Sequence, residues 1–252
     1  MLIEQRRTRI LELVHRSGYA GIEELARQFK VTPQTIRRDL NALSDDGQLV
    51  RRHGGTSLPS SVSNTSYAAR HIERAAEKER IAKLCAAWLP DRCSIFLSLG
   101  TTVAAVAHAL TSRRELKIVT HNLEAARTLI EEPSTEVIVL GGALQSRNLG
   151  VVGAATLGML ENYRTDYLVL SVGGVDKDGT LLDYHEGEVA IVRAMMKHAR
   201  RSVLVVDHTK FTRTATVRVA HLRDMSAIIT DVALAPRLRK MLDARSTAVI
   251  VG

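Results

Sequence analysis

The run Val31-Thr32-Pro33-Gln34-Thr35-Ile36-Arg37-Arg38-Asp39-Leu40 starts a helix and defines both of its faces. Thr32 suits the N-cap, where a hydroxyl accepts from the first turn's backbone N–H groups, and Pro33 has the φ that a first helical position needs. At about 100° per residue, Ile36, Leu40 and Leu43 share a narrow arc and are expected to be buried. Gln34, Arg38 and Asn41 fall on the opposite side, with Thr35 and Arg37 on the flanks. These are the residue types that read base edges: Arg pairs with guanine, Gln or Asn with adenine, and Thr touches a base or a phosphate.

The flanking sequence gives this helix its context. Ile10, Leu13 and Val14 mark an earlier helix closed by Gly18, and Ile22, Leu25, Ala26 and Phe29 a second. Only Lys30-Val31-Thr32 separates the second from the third, which stops near Asp46-Gly47. Gln48–Arg52 then reads as extended and His53-Gly54-Gly55 as a turn, placing Arg51, Arg52 and His53 where they can lie along phosphates or enter a minor groove. Together these describe a winged helix-turn-helix over residues 1–58, with Thr32, Gln34, Thr35, Arg37, Arg38, Asn41, Arg51, Arg52 and His53 as the candidate DNA-binding residues. A single arginine is more often a solvated surface group; here cap, core face, polar face and wing agree.

The whole chain of 252 residues carries a formal charge of +8, which favours an anionic partner. Residues 1–58 hold ten Lys/Arg against seven Asp/Glu, so DNA affinity has to come from how the charge is arranged and from self-association. A homo-oligomer, dimer or tetramer, is expected. The charged start Met1-Leu2-Ile3-Glu4-Gln5-Arg6-Arg7 has no signal-peptide pattern and no apolar run is long enough to span a bilayer, so the expected location is the cytoplasm, with no membrane partner. Cys85 and Cys93 read as small buried hydrophobes, and no Cys/His grouping has metal-ligand spacing. No cofactor is expected.

From Thr56 to Ala68 the residues Ser57, Pro59, Ser60, Ser61, Ser63, Asn64 and Ser66 leave little to bury, and a linker over 59–75 is expected. Beyond it, over 76–252, an amphipathic helix carries Ile81, Leu84, Cys85, Trp88 and Leu89 up to Pro90. Seven apolar runs follow: Ile95–Leu99, Leu116–Thr120, Val137–Leu140, Tyr167–Val172, Val203–Asp207, Ala227–Thr230 and Thr247–Val251. Such continuous runs suit strands covered on both faces, in a mostly parallel α/β sheet flanked by helices near 102–110, 123–131, 154–163 and 188–198.

Ligands of open α/β sheets bind beyond the carboxyl ends of the strands, where this sequence gathers its small and polar residues. Gly100-Thr101-Thr102 offers backbone N–H groups, hydroxyls and a helix N-terminus to an anion. Asn122, Gly141, Gly142, Gly173 and Gly174 end other strands, and Asp207 and Lys210 follow another, the lysine suited to a phosphate and the aspartate to hydroxyls. Each such end alone is more often an ordinary turn; several on one edge with a lysine point to a site.

The string Val31–Leu40 followed by Arg52-His53-Gly54-Gly55 resembles the signature of the DeoR family of bacterial regulators, and the resemblance runs nearly the length of the chain. Leu58-Pro59-Ser60-Ser61, Glu77-Lys78-Glu79-Arg80-Ile81-Ala82 and Ala105-Val106-Ala107-His108-Ala109-Leu110 are similar to the branch that governs glycerol metabolism. The resemblance implies a repressor that binds double-stranded operator DNA and leaves it on binding a phosphorylated effector, glycerol 3-phosphate or a related sugar phosphate. It also implies a sensor with the fold of ribose-5-phosphate isomerase and coenzyme A transferases. In that fold Gly100-Thr101-Thr102 and Lys210 would hold the phosphate, with Asn122 and Gly142 nearby and Glu188 aligned with a common carboxylate. The family pattern has Asp where this chain has Ser98 and Asn where it has His121. Ser98 therefore removes an acid from beside the expected pocket. It also weighs against the rival reading, a sugar-phosphate isomerase, since such chemistry needs a carboxylate poised as base. Turnover assays on pentose and hexose phosphates separate the two readings, while activation instead of repression stays open.

Overall fold

The computed structural model describes residues 2–62, 64, 66–243 and 247–252; Met1 of the charged start and Ser63 of the expected linker lie outside them. The first unit runs α1 (Ile3–Ser17), β1 (Tyr19–Gly21), α2 (Ile22–Phe29), α3 (Pro33–Asp45), β2 (Val50–Arg52) and β3 (Gly55–Ser57). Gly18 ends α1 at φ 74, a conformation in which a Cβ is strained. Thr32 caps α3 by accepting from the Thr35 N–H at 3.2 Å. Ile10, Val14, Leu25, Ile36, Leu40, Leu43 and Leu49 form a separate small core.

The wing is a three-stranded antiparallel sheet in the order β1-β3-β2. β1 carries no sequence signal of its own and exists by pairing Ala20 with Thr56. Gly55 is required there, because a Cβ would run into the Ala20 carbonyl and the Tyr19 hydroxyl. The polar stretch from Thr56 to Ala68 carries ordered structure at both ends. Thr56 is fully buried and its hydroxyl donates to the Val50 carbonyl at 3.2 Å, so it belongs to the wing. Downstream, Ser66 caps a short helix, α4 (Tyr67–Ile72), whose Tyr67 and Arg70 are buried. Two large side chains with partners further along the chain outweigh the polar composition of the serines before them.

The rest is built on one sheet. α5 (Ala75–Trp88) leads to β4 (Ser94–Leu97), α6 (Thr101–Leu110), β5 (Lys117–Thr120), α7 (Leu123–Leu129) and β6 (Glu136–Val139). A hairpin of β7 (Ala143–Gln145) and β8 (Gly150–Val152) precedes α8 (Ala154–Leu160) and β9 (Thr165–Leu170). β10 (Gly174–Val175), β11 (Thr180–Asp183), α9 (Glu186–His198), β12 (Ala199–Val205), a 3-10 turn (His208–Thr212) and β13 (Val217–His221) follow. β14 (Ala227–Thr230), α10 (Pro236–Asp243) and β15 (Ala248–Val251) close the fold.

Seven strands lie in the order β15-β14-β12-β9-β4-β5-β6, and every neighbouring pair is parallel. Alternation splits their side chains between two cores. Ile95 and Leu97 join Ile81, Cys85, Val103 and Val106 on one face. Phe96 joins Leu168, Val189, Met195 and Leu204 on the other. Burial pushes the Cys85 thiol up to about 12 and the Cys93 thiol to about 11, so neither is a thiolate near neutral pH. The chain builds β4, β5 and β6 toward one edge, then returns to lay β9, β12, β14 and β15 toward the other. Between β4 and β9 the order reverses, and the crevice above them is where α/β sheets hold ligands.

Candidate nucleic-acid interface and effector pocket

On α3, Gln34, Arg37, Arg38 and Asn41 are exposed and Thr35 half-buried, while Ile36, Leu40 and Leu43 are buried. Thr32 is exposed too, but its hydroxyl is engaged as the cap and lies 2.9 Å from the Thr35 hydroxyl. Arg51, Arg52 and His53 are exposed on the wing, where Arg52 Nε donates to Ser57 Oγ at 3.1 Å. The nine candidate positions thus fall on the outer side of α3 and on the wing. Asp39, the single acid among residues 33–44, is turned inward. It accepts from Arg6 Nε at 2.6 Å and Arg7 Nε at 3.2 Å, with side-chain exposures of 8% for Arg6 and 3% for Asp39. This removes a negative charge from the face that carries Arg37 and Arg38, and it ties α1 to α3.

Above β4 and β9 lie two small cavities, of about 40 and 20 Å³. Both are lined by Arg70, Thr101, Thr102 and Lys210. The first adds Gly100, Asn148, Gly173, Asp183 and Glu188, and the second Lys78, Asp207 and Arg213. Gly100 precedes α6 at φ 125, a conformation open to glycine, and delivers the buried Thr101 and Thr102 as the first residues of that helix, where backbone N–H groups have no helical partner. Burial lowers the Lys210 ammonium to about 8, against the attraction of Asp207. Burial works to raise the Asp207 carboxyl, yet Lys210, the Thr209 hydroxyl and Arg213 hold it below the usual carboxylate range.

On the opposite wall Arg70 Nη2 donates to Asn148 Oδ1 at 2.5 Å, and Asn148 Nδ2 donates to both Glu188 oxygens at 2.7 Å. Burial, then the nearby Asp183, push Glu188 up to about 7, and burial raises Asp183 as well. Four cations, Arg70, Lys78, Lys210 and Arg213, therefore surround one carboxyl held below the usual range, Asp207, and two that burial pushes up, Asp183 and Glu188. The arrangement suits an anion that also carries hydroxyls. It predicts a pH signature. A carboxyl whose folded pKa lies above its unfolded value contributes stability below about pH 4.5 that is lost as the pH rises through about 7. Glu188→Gln keeps the neutral form throughout and is expected to stabilise the protein at pH 8 by on the order of 2–3 kcal/mol, with no gain at pH 4. Denaturant titrations at the two pH values check this; a difference independent of pH would remove the assignment.

Of the residues expected at the effector site, Gly100, Thr101, Thr102, Gly173, Glu188, Lys210 and Asp207 line these cavities, and five do not. Ser98 is buried with its hydroxyl on the Leu99 carbonyl at 3.3 Å. Asn122 is spent on structure: Oδ1 caps α7 at Ala125 N–H (3.2 Å) and Nδ2 donates to the Ser98 carbonyl (3.1 Å). Gly141 and Gly142 are tied to α8, Gly141 through its carbonyl accepting from Thr156 Oγ1 at 2.9 Å. Gly174 is small because the Arg213 backbone passes directly over it. His121 is buried, and burial lowers its imidazole to about 4, so it is neutral. Arg70, Lys78, Asn148, Asp183 and Arg213 line the cavities without having been among the expected effector residues. The N-cap Ser66 ahead of Tyr67 was a legible helix start for Arg70; Asn148 sits in the turn between β7 and β8, and Asp183 ends the four-residue β11, which is too short for a period.

Residues 6–62 match a family model described as the DeoR-like helix-turn-helix domain, and residues 73–232 match the DeoR C-terminal sensor domain. The glycerol-3-phosphate regulon repressor of Escherichia coli (strain K12) is 44% identical over 90% of this chain and 90% of its own. The HTH-type transcriptional repressor CsqR of the same organism is 40% identical over 90% of this chain and 87% of its own. Among solved structures, a D-ribose-5-phosphate isomerase in complex with phospho-erythronic acid aligns over 53% of this chain and 52% of that one, with a TM-score of 0.40 and 17% identity. None of the described helices is long and apolar enough to cross a membrane.

Proposed function

This chain belongs to the DeoR family of transcriptional repressors, and from that premise we propose that it represses genes of glycerol metabolism and leaves its operators on binding glycerol 3-phosphate. The observation that carries the effector is the cationic crevice at the sheet's switch point, where Lys210 and Arg70 meet the N-terminus of α6. The effector's identity is supported by the relative at 44% identity, whose name specifies the glycerol-3-phosphate regulon. In this reading residues 1–58 are the DNA-reading head, 59–75 connect it, and 76–252 sense effector and self-associate. Two heads acting together supply the footprint that one small head lacks. The protein works in the cytoplasm, on chromosomal DNA. A different sugar phosphate is the second reading, favoured by the 40% identity to a repressor of another name.

Lys210→Ala is expected to bind operator as the wild type does and to stay bound when glycerol 3-phosphate is added. The check is a mobility-shift titration on a DNA site selected by the wild-type protein. Release at wild-type effector concentrations would exclude Lys210 as the phosphate partner. A wild type that ignores glycerol 3-phosphate and answers another sugar phosphate would leave the repressor standing and replace its effector.

A further inference from the structure

The 3-10 turn His208–Thr212 has two working faces. One carries Lys210, preceded by Asp207, into the walls of the two cavities. The other grips the far end of the recognition helix. Thr212 Oγ1 donates to the Asp46 carbonyl at 2.9 Å, and His208 Nε2 lies 3.4 Å from the Asp45 carbonyl. Gly47, at φ +72, sits so close to the turn that a Cβ would fall 2.7 Å from Thr209 Cβ and 3.1 Å from the Thr209 carbonyl oxygen. A second strut stands beside it. Arg74, between α4 and α5, donates through Nη2 to the carbonyl (2.8 Å) and carboxylate (3.1 Å) of Asp45. The helix before it, α4, supplies Arg70 to the cavities.

Volume makes these contacts consequential. Cavities of about 40 and 20 Å³ hold a few waters between them, whereas ligand pockets run to about 300 Å³ and more. A phosphorylated three-carbon polyol enters only if the walls that divide the cavities move apart. Thr101 and Thr102 belong to α6, which is packed into one of the two large cores. Arg70 and Lys210 ride on α4 and on the turn, elements of six and five residues. These two short elements are also the ones tied to the end of α3, the turn directly and α4 through Arg74 just beyond it.

We propose that this seam between the recognition helix and the turn His208–Thr212 is the relay of induction: a closed cavity with the head docked is one state, and a filled cavity with the head undocked is the other. The proposal rests on the reading of the cavity as the effector site. Docking leaves Gln34, Arg38 and Asn41 exposed, so it does not hide the DNA-reading face; it sets the angle at which that face is presented. The serine-rich stretch and α5 offered a covalent route between the domains, and the seam bypasses both. Linkage then requires that weaker docking tighten effector binding and loosen operator binding together.

Thr212→Val and Gly47→Ala, each in the full chain, load the seam from opposite sides and touch neither ligand. Thr212→Val loses the hydroxyl that is shared between the Asp46 carbonyl across the seam and, at 3.0 Å, the Thr209 carbonyl within the turn, and it is expected to bind glycerol 3-phosphate about two- to tenfold more tightly, with operator binding weakened. Gly47→Ala pushes directly on the turn and is expected to change both affinities further in the same directions. If the strained alanine prevents folding, Thr212→Val decides alone. In the wild type, glycerol 3-phosphate should speed amide hydrogen exchange over residues 44–50 and 208–213. Wild-type affinities for both ligands in the variants, or a weaker operator complex with effector affinity unmoved, would overturn the relay. A wild type that does not bind glycerol 3-phosphate removes that effector alone. The same titrations with inorganic phosphate, which needs only the cations of the cavity, then decide the relay by the same criteria.

Discussion

Arg38→Ala is expected to weaken operator binding by at least thirtyfold while leaving the melting profile unchanged. Arg38 is exposed on α3, one residue from the buried pair Asp39 and Leu40. Its removal therefore leaves the small core untouched. A bidentate contact to a base is worth about 1–3 kcal/mol, and on the proposed homo-oligomer, with two heads on two half-sites, it is lost twice. That makes about 2–6 kcal/mol, or thirtyfold to some ten-thousandfold in affinity. A gel-shift titration on the DNA site selected by the wild type, at fixed salt, measures it. Unchanged affinity would mean that a different face of α3 enters the groove.

Asp39→Ala acts on the same helix through stability. It strands Arg6, whose side chain is 8% exposed and whose Nε lies 2.6 Å from the lost carboxylate. Removing one partner of a buried pair costs about 3–5 kcal/mol, whereas replacing both by apolar residues of similar size is close to neutral. The single variant is thus expected to unfold its DNA-reading unit early in a urea titration, and Arg6→Met/Asp39→Leu to restore most of the loss. A single variant within about 1 kcal/mol of wild type would mean that the ion pair carries little, and that the apolar contacts of Ile10 and Ile36 alone join α1 to α3.

Much of this was legible in the residues. All seven strands of the main sheet announced themselves as apolar runs; burial on both faces explains this for central strands, as at Ile95–Leu97 and Val203–Val205, while the edge strands β6 and β15 kept such runs although only half-buried. The recognition helix was equally plain, since its cap, its Pro33 and its two faces are local properties. The short antiparallel pieces were not. β1 and β13 are held by partners far along the chain, and β7, β8, β10 and β11, though paired locally, have too few residues for a period. The pocket was half legible for a similar reason. Lys210 and Gly100-Thr101-Thr102 follow strands directly, whereas Arg70 reaches Asn148 across 78 residues. Asn122 illustrates the opposite error: an asparagine after a strand and before a helix suits a ligand and a cap equally well, and here it serves as the cap.

The order of the strands also sets the order in which the protein acquires its abilities. The DNA-reading unit closes within the first 58 residues, from contacts between helices adjacent in sequence. The crevice above β4 and β9 needs Ile95 to find Tyr167, and its lysine arrives at position 210. Local contacts form quickly and distant parallel pairings slowly, and chains are made at about 5–20 residues per second. Roughly 8–30 s therefore separate synthesis of the last wing residue from that of Lys210. A nascent chain therefore carries a closed helix-turn-helix head well before its sensor exists, while the paired heads that a tight operator grip needs wait, like the response to the metabolite, for the rest of the chain.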